Sequence, residues 1–513
     1  MRSRGPIRSK VQEAVKLPAW RRHVLLFLLL AGMILLIGRA LYLQSYNRSF
    51  YQKQGEARYT RSLTLFAHRG MIKDRNGEPL AISTPVESIW ANPADANMNE
   101  QQKIKLAERL KIDVAEINRK LSNQDREFVF LKRRISPELA NDVMALGIPG
   151  IYSQREYRRY YPEGEVTAHL VGFTGVDEKG QEGFELKYQN WLAGKSGSRH
   201  VLRDRAGHIV EDLEAAKMPQ NGKDLVLSID RKVQYLAFRE LSKAVEQHHA
   251  QAGSAIVMDA KTGEILAMVN LPSYNPNNPT NIAGKSRNRA LTDTFEPGST
   301  MKPMAVAMGL ESGKYRPETR LETSPGTYKI GPATIHDTHN YGTLTVAGVV
   351  QKSSNVGATK IALSLEPQFM WSMLNQMGFG TPTRIEFPGE VSGRLRSYKT
   401  WRPIEQATMS YGHGVSVTVA QLAHAYTVFA RDGDVVPLSL LKTAGAVAGQ
   451  PVFSPETARQ LRLMLEMVVS PEGTANKAAD GIAGEAEVVF EAHFGVPMSG
   501  AVLNTLNTRL DPE

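Results

Sequence analysis

The chain has 513 residues, of which 42% are hydrophobic and 22% are charged, enough for one to three globular domains. It contains no cysteine, which excludes disulfides, a cysteine nucleophile and Cys-ligated zinc or iron–sulfur sites. Its net charge of +10 does not indicate nucleic-acid binding. The segment 1–22 holds seven basic residues and one acidic residue, so more than half of the excess precedes any folded domain. We therefore expect no nucleic-acid partner.

An uncharged apolar run at 24–38 follows this basic segment. Extended to 23–43 it has about 21 residues, which matches a hydrocarbon core about 30 Å thick. Because the basic flank comes first, we expect 1–22 to be a cytoplasmic tail and 23–43 a single transmembrane helix. A cleaved signal peptide is the alternative, but the run is long for one and no clear A-x-A-like site follows. The pattern favours a single-pass membrane anchor with the bulk of the chain exported.

The region 44–220 mixes short strands, charged helices and Gly-rich turns, and it has no obvious nucleophile. The Asn76-Gly77 pair between apolar runs predicts a hairpin. Amphipathic helices are expected at 100–122 and 136–146. This region is predicted to be an α+β domain.

The pattern of predicted secondary structure changes near residue 221, and an α/β domain is expected over 221–513. A strand is predicted at 224–230, a helix at 231–247, and a hairpin at 254–270 around the turn Lys261-Thr-Gly263. Further helices are predicted at about 300–311, 345–352, 355–364, 367–377, 418–431 and 455–468.

A serine and a lysine follow a chain-breaking Pro297-Gly298 pair at the start of an apolar helix. Lys302 lies one helical turn after Ser299, so that a neutral amine is able to take the serine proton. The spacing alone is weak evidence for a catalytic pair, because an N-cap serine followed by a solvated lysine gives the same Ser-x-x-Lys sequence. A second Ser-x-x-Lys, at Ser439 and Lys442, has no such break and is typical of a strand or loop.

A Ser-x-Asn group, Ser353 and Asn355, stands between two predicted helices some fifty residues later. A serine hydroxyl there is suited to relaying a proton to a leaving amine, and an asparagine to holding a substrate amide. In isolation the group is equally typical of a helix cap.

Ser-x-x-Lys followed by Ser-x-Asn resembles the penicillin-binding, serine β-lactamase-like acyltransferases. Surrounding stretches strengthen the likeness to class B penicillin-binding proteins of the division-specific FtsI type. These stretches are Ala67-His-Arg-Gly70, Asp74-Arg-Asn-Gly77, Tyr160-Tyr-Pro162 with Ala168-His169, Gly183-Phe-Glu185, Met258 to Ala267, Tyr274-Asn-Pro-Asn277, Arg287-Asn-Arg289, Glu296 to Thr300 and Tyr411-Gly-His-Gly414. The likeness covers about residues 20–475.

The resemblance implies a non-catalytic pedestal over 44–220 that carries a penicillin-binding transpeptidase domain over 221–513. Ser299 is then the acylated nucleophile, Lys302 its base, and Ser353 and Asn355 complete the site. No cofactor or metal is implied. The implied partners are a peptidoglycan stem peptide or its lipid-linked precursor, β-lactams, a membrane glycosyltransferase and other division proteins. The implied location is the bacterial inner membrane, with the bulk of the chain in the periplasm.

The sequence departs from the family in its third motif, a Lys-Thr/Ser-Gly-Thr strand after the last long helix. No such spelling follows 455–468, and an internal deletion near 480–495 is predicted, which makes the transpeptidase domain C-terminally incomplete. Lys261-Thr-Gly263 is no substitute, because it is a hairpin turn before the nucleophile. The alternative to an active transpeptidase is therefore an impaired or inactive scaffold of the division complex. A β-lactam sensor fits less well, because the short tail shows no signalling module, and a serine β-lactamase fits less well still, given the anchor and the pedestal.

Overall fold

The computed structural model describes residues 19–43, 60–203, 209–212, 217–280 and 282–476. The predicted deletion near 480–495 lies outside these residues, as does most of the predicted cytoplasmic tail. The chain divides into two compact units. One holds the chain up to Leu65 together with Gly197–Met218, and the other holds Phe66–Ser196 and everything from Pro219 onward.

The first unit contains the apolar helix α1, Ala19–Leu41. Its stretch Trp20–Leu41 is long and apolar enough to cross a membrane, and none of it is buried within the protein. This unit also contains a three-stranded antiparallel sheet in the order β1-β6-β7. Its strands are β1 Thr60–Leu65, β6 Gly197–Arg203 and β7 Ile209–Asp212. The predicted membrane helix is thus present as a helix, beginning four residues earlier than expected.

The N-terminal half of the second unit is built on a five-stranded sheet in the order β4-β3-β2-β8, with β5 also paired to β3. Its strands are β2 Ile72–Lys73, β3 Pro79–Ala91, β4 Val129–Ile135, β5 Ile151–Tyr160 and β8 Leu225–Val226. Its helices are α2 Glu100–Leu110, α3 Val114–Leu121, α4 Pro137–Met144, α5 Ala168–Val171, α6 Gly183–Lys187 and α7 Gln189–Leu192. The α+β architecture is as predicted.

The hairpin between β2 and β3 confirms the prediction from Asn76-Gly77. The Asp74 carboxylate accepts hydrogen bonds from the backbone N–H groups of Asn76 and Glu78, both at 2.8 Å. Gly77 has a φ of +92°, which favours glycine. The turn geometry is therefore set by the Asp74 carboxylate and by the glycine at position 77.

The single helix expected at 100–122 is wrong, because the structure has two helices there. Lys111 takes a left-handed φ of 49° and ends α2, and α3 starts after Asp113. A hydrophobic period that runs through both helices conceals this break. The strand expected at 224–230 is likewise shorter, being regular only at β8.

The C-terminal half of the second unit opens with helix α8, Arg231–Gln247, which packs on the hairpin of β9, Gly253–Met258, and β10, Ile265–Leu271. The helix and the hairpin were both predicted. The helices that follow are α9 Arg289–Thr292, α10 Lys302–Glu311, α11 Val346–Gln351, α12 Asn355–Ser364, α13 Pro367–Gln376, α14 Pro403–Met409, α15 Val419–Ala430 and α16 Pro455–Glu466. The short strands are β11 Arg320–Glu322, β12 Thr327–Ile330, β13 Ala333–His336, β14 Thr343–Thr345, β15 Asp434–Val435 and β16 Gln450–Pro451.

Helix α10 is the central helix of this half, since every residue from Lys302 to Leu310 is buried. Helices α11, α12, α13 and α16 surround it. A helix that is apolar all round is stable only inside a core, and this position fixes both its axis and its first residue. The polar group at its start, Lys302, is thereby carried into the interior.

Candidate active site

Ser299 lies in a short 3₁₀ turn, Gly298–Met301, that leads directly into α10. Gly298 takes a φ of +60°, which reverses the chain before the serine. The Thr300 hydroxyl donates to the Pro297 carbonyl at 2.6 Å and closes the turn. Ser299 itself is exposed, while Thr300 and Met301 are buried. The predicted break before the helix is therefore present, and it presents the serine hydroxyl to solvent.

The stretch 411–418 holds the turn of Ser299 in place. Phe295 and Val417 exchange two backbone hydrogen bonds, at 3.0 and 2.9 Å. Gly412 lies so close to Gly298 that a Cβ added to Gly412 would be 2.2 Å from the Gly298 nitrogen. The backbones of these two glycines are thus in direct contact.

Two side chains reinforce this contact. The Glu296 carboxylate accepts from the Gly414 backbone N–H at 2.8 Å and from His413 Nδ1 at 3.0 Å. The Tyr426 hydroxyl donates to the Thr300 carbonyl at 2.7 Å. The Tyr411-Gly-His-Gly414 stretch therefore acts as a support for the turn of Ser299.

The amine of Lys302 lies 3.1 Å from Ser299 Oγ and 2.8 Å from Ser353 Oγ, and it also donates to the Ser353 carbonyl. Lys302 is only 2% exposed. Burial lowers the pKa of its amine to about 7, against the opposing effect of the Asp337 carboxylate. Three acceptors match the three N–H bonds of an ammonium group, and a neutral amine has a lone pair for the Ser299 hydroxyl.

Ser353 connects α11 to α12 with a left-handed φ of 54°, and this turn directs both of its oxygens at Lys302. Ser354 caps α12 by accepting from the Gly357 N–H at 2.9 Å. Asn355 is the first residue of α12, and its Nδ2 donates to the His336 carbonyl at 2.8 Å. That bond uses an N–H group of the Asn355 side chain, whose amide oxygen is an acceptor. The structure therefore places the Lys302 amine in contact with both Ser299 and Ser353, with Asn355 two residues after Ser353.

Asp337 is a member of this cluster that the sequence did not reveal. Its carboxylate accepts from Ser354 Oγ at 2.7 Å and from the Val356 N–H at 3.0 Å. The residue follows β13, and nothing in its local pattern distinguishes it from a solvated loop aspartate. The small strand pair of β12 and β13, which was also not predicted, is what brings it to the start of α12.

The second Ser-x-x-Lys spelling does not form a site. Ser439 Oγ donates to the Leu441 carbonyl at 2.7 Å, and Lys442 Nζ donates to the Arg75 carbonyl at 2.9 Å. Likewise Lys261-Thr-Gly263 forms the turn between β9 and β10, where the Gly263 carbonyl accepts from the Ser439 N–H at 2.9 Å. Both findings agree with the sequence interpretation of these segments.

A segment beyond α16 returns to the junction that carries Ser353. Lys352 Nζ donates to the Glu472 carbonyl at 2.8 Å, and Gln351 Nε2 donates to Ser470 Oγ at 3.3 Å. The described chain therefore runs alongside the α11–α12 junction before it reaches residue 477. The predicted loss of the third motif concerns the residues beyond, and it stays a prediction.

Several of the resembling stretches form a buried ionic group in the N-terminal half. The Glu185 carboxylate, fully buried, accepts from Arg69 Nε at 2.7 Å and from Arg159 Nε at 2.6 Å.

Other stretches that resemble the family join the two halves of the second unit. Asn277 bonds to both the N–H and the carbonyl of Tyr161 at 2.9 Å, and His169 Nε2 lies 2.7 Å from the Lys285 carbonyl.

Comparison with known proteins identifies both halves. Residues 253–486 match the penicillin-binding protein transpeptidase domain, and residues 64–227 match the penicillin-binding protein dimerisation domain. The chain is 44% identical over 476 residues to the probable peptidoglycan D,D-transpeptidase PenA of Neisseria gonorrhoeae, covering 91% of this chain and 82% of that protein. It belongs to the penicillin-binding transpeptidases.

Two further relatives support this assignment. Peptidoglycan D,D-transpeptidase FtsI of Escherichia coli is 40% identical over 91% of this chain and 80% of its own length. A peptidoglycan synthetase from Bifidobacterium adolescentis, known from a crystal structure, superposes with a TM-score of 0.63 at 28% identity, over 80% of this chain and 82% of that one. The family resemblance stated from the motifs, including its FtsI type, is confirmed for this penicillin-binding protein.

Proposed function

We propose that this chain is a peptidoglycan D,D-transpeptidase that cross-links stem peptides through an acyl-enzyme on Ser299. The observation that carries the proposal is the buried Lys302 amine 3.1 Å from Ser299 Oγ, with a pKa lowered to about 7. An amine with that pKa is substantially neutral at physiological pH and is able to act as a general base. Membership of the family and the names of the relatives point to the same reaction.

The proposed reaction begins when Ser299 Oγ attacks the carbonyl of the penultimate D-Ala and Lys302 takes its proton. The start of α10 favours the negative charge that develops on the attacked oxygen. Ser353, hydrogen-bonded to the amine, relays the proton to the departing D-Ala, and Asn355 holds an amide of the stem peptide. An amine of a neighbouring strand then attacks the ester and releases Ser299, and a β-lactam acylates the same oxygen.

We further propose that the protein spans the bacterial inner membrane once. The segment 1–22 is cytoplasmic, 23–43 spans the membrane, 44–220 is the pedestal and 221–513 is the transpeptidase domain. The charge of the N-terminal flank supports this orientation. The substrate is a peptidoglycan stem peptide or its lipid-linked precursor, and the family resemblance makes a membrane glycosyltransferase and other division proteins the expected partners.

The test is labelling of the full-length protein in detergent by a fluorescent penicillin, followed by peptide mass spectrometry. The adduct is expected on the peptide that contains Ser299 and is absent from the Ser299→Ala variant. Ser439→Ala is the matched control, because its serine belongs to the other Ser-x-x-Lys spelling and should label like wild type. An adduct on Ser439 or Ser353 would overturn the assignment. Acylation of Ser299 at a rate typical of the family would contradict only the alternative of an impaired or inactive scaffold, which rests on the predicted loss of the third motif.

A further inference from the structure

A histidine and a glutamate form a hydrogen-bonded pair beside the turn of Ser299. His413 Nδ1 lies 3.0 Å from a carboxylate oxygen of Glu296. Hydrogen bonds from His413 and from the Gly414 backbone N–H hold the pKa of Glu296 below its ordinary value, so the group is ionised. Because a carboxylate only accepts, Nδ1 carries the hydrogen and Nε2 of the neutral ring carries the lone pair. The pair therefore consists of a base and the anion that orients it.

Backbone contact places this pair next to the nucleophile. Gly412 lies against Gly298, since a Cβ added to Gly412 would be 2.2 Å from the Gly298 nitrogen. His413 directly follows the first of these glycines and Ser299 directly follows the second, and both residues are exposed. Glu296 is exposed as well and lies three residues before Ser299. The imidazole therefore borders the space from which a second substrate approaches an acyl group on Ser299.

The ring of His413 is held in one orientation and has a free nitrogen. Tyr411 contacts it edge-on, with ring centroids 5.5 Å apart and an angle of 79° between the planes. The bond from Nδ1 to Glu296 fixes the ring on another edge. The side chain is 60% exposed, and within the described part of the chain Nε2 has no hydrogen-bond partner. The acylation step proposed above leaves this nitrogen without a role.

The second half of the proposed reaction needs a base that the first half does not. The acceptor amine is mostly an ammonium at neutral pH, and it has no lone pair for attack until it loses a proton. Lys302 is 2% exposed, and its amine faces Ser299 and Ser353. An ammonium that arrives from solvent therefore meets the exposed groups beside Ser299 first. Histidine is the side chain best suited to take a proton near neutral pH, and His413 is an exposed histidine at this position.

We propose that His413, oriented by Glu296, is the catalytic base that deprotonates the acceptor ammonium in the transfer step. This inference rests on the proposed function of Ser299 and Lys302. The ammonium gives one proton to Nε2, and the Glu296 carboxylate stabilises the imidazolium until water takes the proton. The amine nitrogen then bonds to the ester carbonyl carbon. Its second proton passes through Lys302 to Ser299 Oγ as the bond between that oxygen and the carbonyl carbon breaks, which leaves an amide cross-link and a free serine.

The experiment compares full-length wild type, His413→Asn and the control His248→Asn in detergent. Asparagine retains a side-chain N–H for the bond to Glu296 but has no counterpart of Nε2. A thioester of an acylated D-alanine loads Ser299, and the rates of acylation and of transfer to an acceptor are measured separately. With D-alanine as acceptor, the ratio of transfer to acylation should fall about 100-fold in His413→Asn, the loss typical of a missing general base. His248 is exposed at the end of α8, and its variant should match wild type.

A second acceptor separates a base from a mere support of the turn. Hydroxylamine is neutral at neutral pH and needs no base, so the ratio of its transfer to acylation should be the same in His413→Asn as in wild type. A wild-type ratio with D-alanine, or an equal loss with both acceptors, overturns the proposal, and so does a common slowing of acylation and transfer. Wild type that is acylated on Ser299 but transfers nothing to D-alanine contradicts the role of His413 alone. Wild type that is not acylated contradicts the proposed function, and the role of His413 falls with it.

Discussion

The buried amine of Lys302 links the chemistry of this site to pH. At a pKa of about 7 the neutral fraction falls about tenfold for each pH unit below that value. We expect the acylation rate of wild type to be half-maximal near pH 7 and to fall with that slope on the acid side. Stopped-flow or gel-based labelling by penicillin across pH 5–9 measures it.

The control for this pH dependence is Lys261→Arg, in the exposed turn between β9 and β10, which should leave the curve unchanged. Lys302→Arg should abolish acylation at every pH, because a guanidinium group does not deprotonate in this range. If the acylation rate of Lys302→Arg still falls toward low pH as in wild type, the titrating group is not Lys302.

Gly412 offers a second test at the scale of single residues. An added Cβ would lie 2.2 Å from the Gly298 nitrogen, so the backbone beside Ser299 must move. We expect Gly412→Ala to slow acylation about 100-fold, since a shift of about 1 Å is enough for that loss. Penicillin labelling kinetics at fixed pH measures the effect.

The matched control is Gly313→Ala. Gly313 also has a positive φ, +71°, but nothing lies within 4 Å of the added Cβ. Gly313→Ala therefore introduces backbone strain similar to that of Gly412→Ala, without a clash against a neighbouring backbone. Equal losses in the two variants would mean that strain, and not the contact with Gly298, is responsible.

At the scale of elements, the buried group of Glu185, Arg69 and Arg159 connects β5, α6 and the segment before β2. Glu185→Gln leaves two buried guanidinium groups facing a neutral amide. Removing one partner of a buried ion pair typically costs about 3–5 kcal/mol of the free energy of unfolding. Denaturant titration of the full-length protein should show that loss in the transition of the N-terminal half.

Glu240→Gln is the control for this prediction. Glu240 makes ion pairs with Arg239 and Lys243 on the outer face of α8, where all three side chains are exposed. No measurable change is expected there, because screened surface pairs contribute little. A Glu185→Gln protein as stable as wild type would show that the cluster is dispensable.

Elements with strong local signals were predictable from the sequence, and those that depend on distant contacts were not. Helix α12 begins and ends where expected, because Ser354 caps it and its apolar pattern is continuous. Helix α14, Pro403–Met409, was not predicted. Ser299, Lys302, Ser353 and Asn355 were predicted as site residues because Ser-x-x-Lys and Ser-x-Asn are recognisable sequence motifs. Asp337 was not, since its contacts arise only when β13 folds against α12.

At the scale of the whole molecule, orientation in the membrane is the main open prediction. Alkaline phosphatase fused after Arg205 should be active, because the basic flank before α1 keeps only the N-terminus inside. The same enzyme fused after Lys16 should be inactive and serves as the control. Activity is read from intact cells, and the reverse pattern would overturn the proposed topology.

The residues that join the two halves of the second unit are expected to differ in how well they tolerate substitution. His169 contacts Lys285 through the peptide carbonyl of an exposed residue, so the lysine side chain takes no part in the contact. Substitutions at position 285 are therefore expected to be tolerated. They change the charge of this surface and leave the contact between the two halves intact. His169 and Asn277 have no such freedom, because their own side chains form the bonds. In a library that randomises all three positions, the variants that still fold should carry many different residues at position 285 and few at positions 169 and 277.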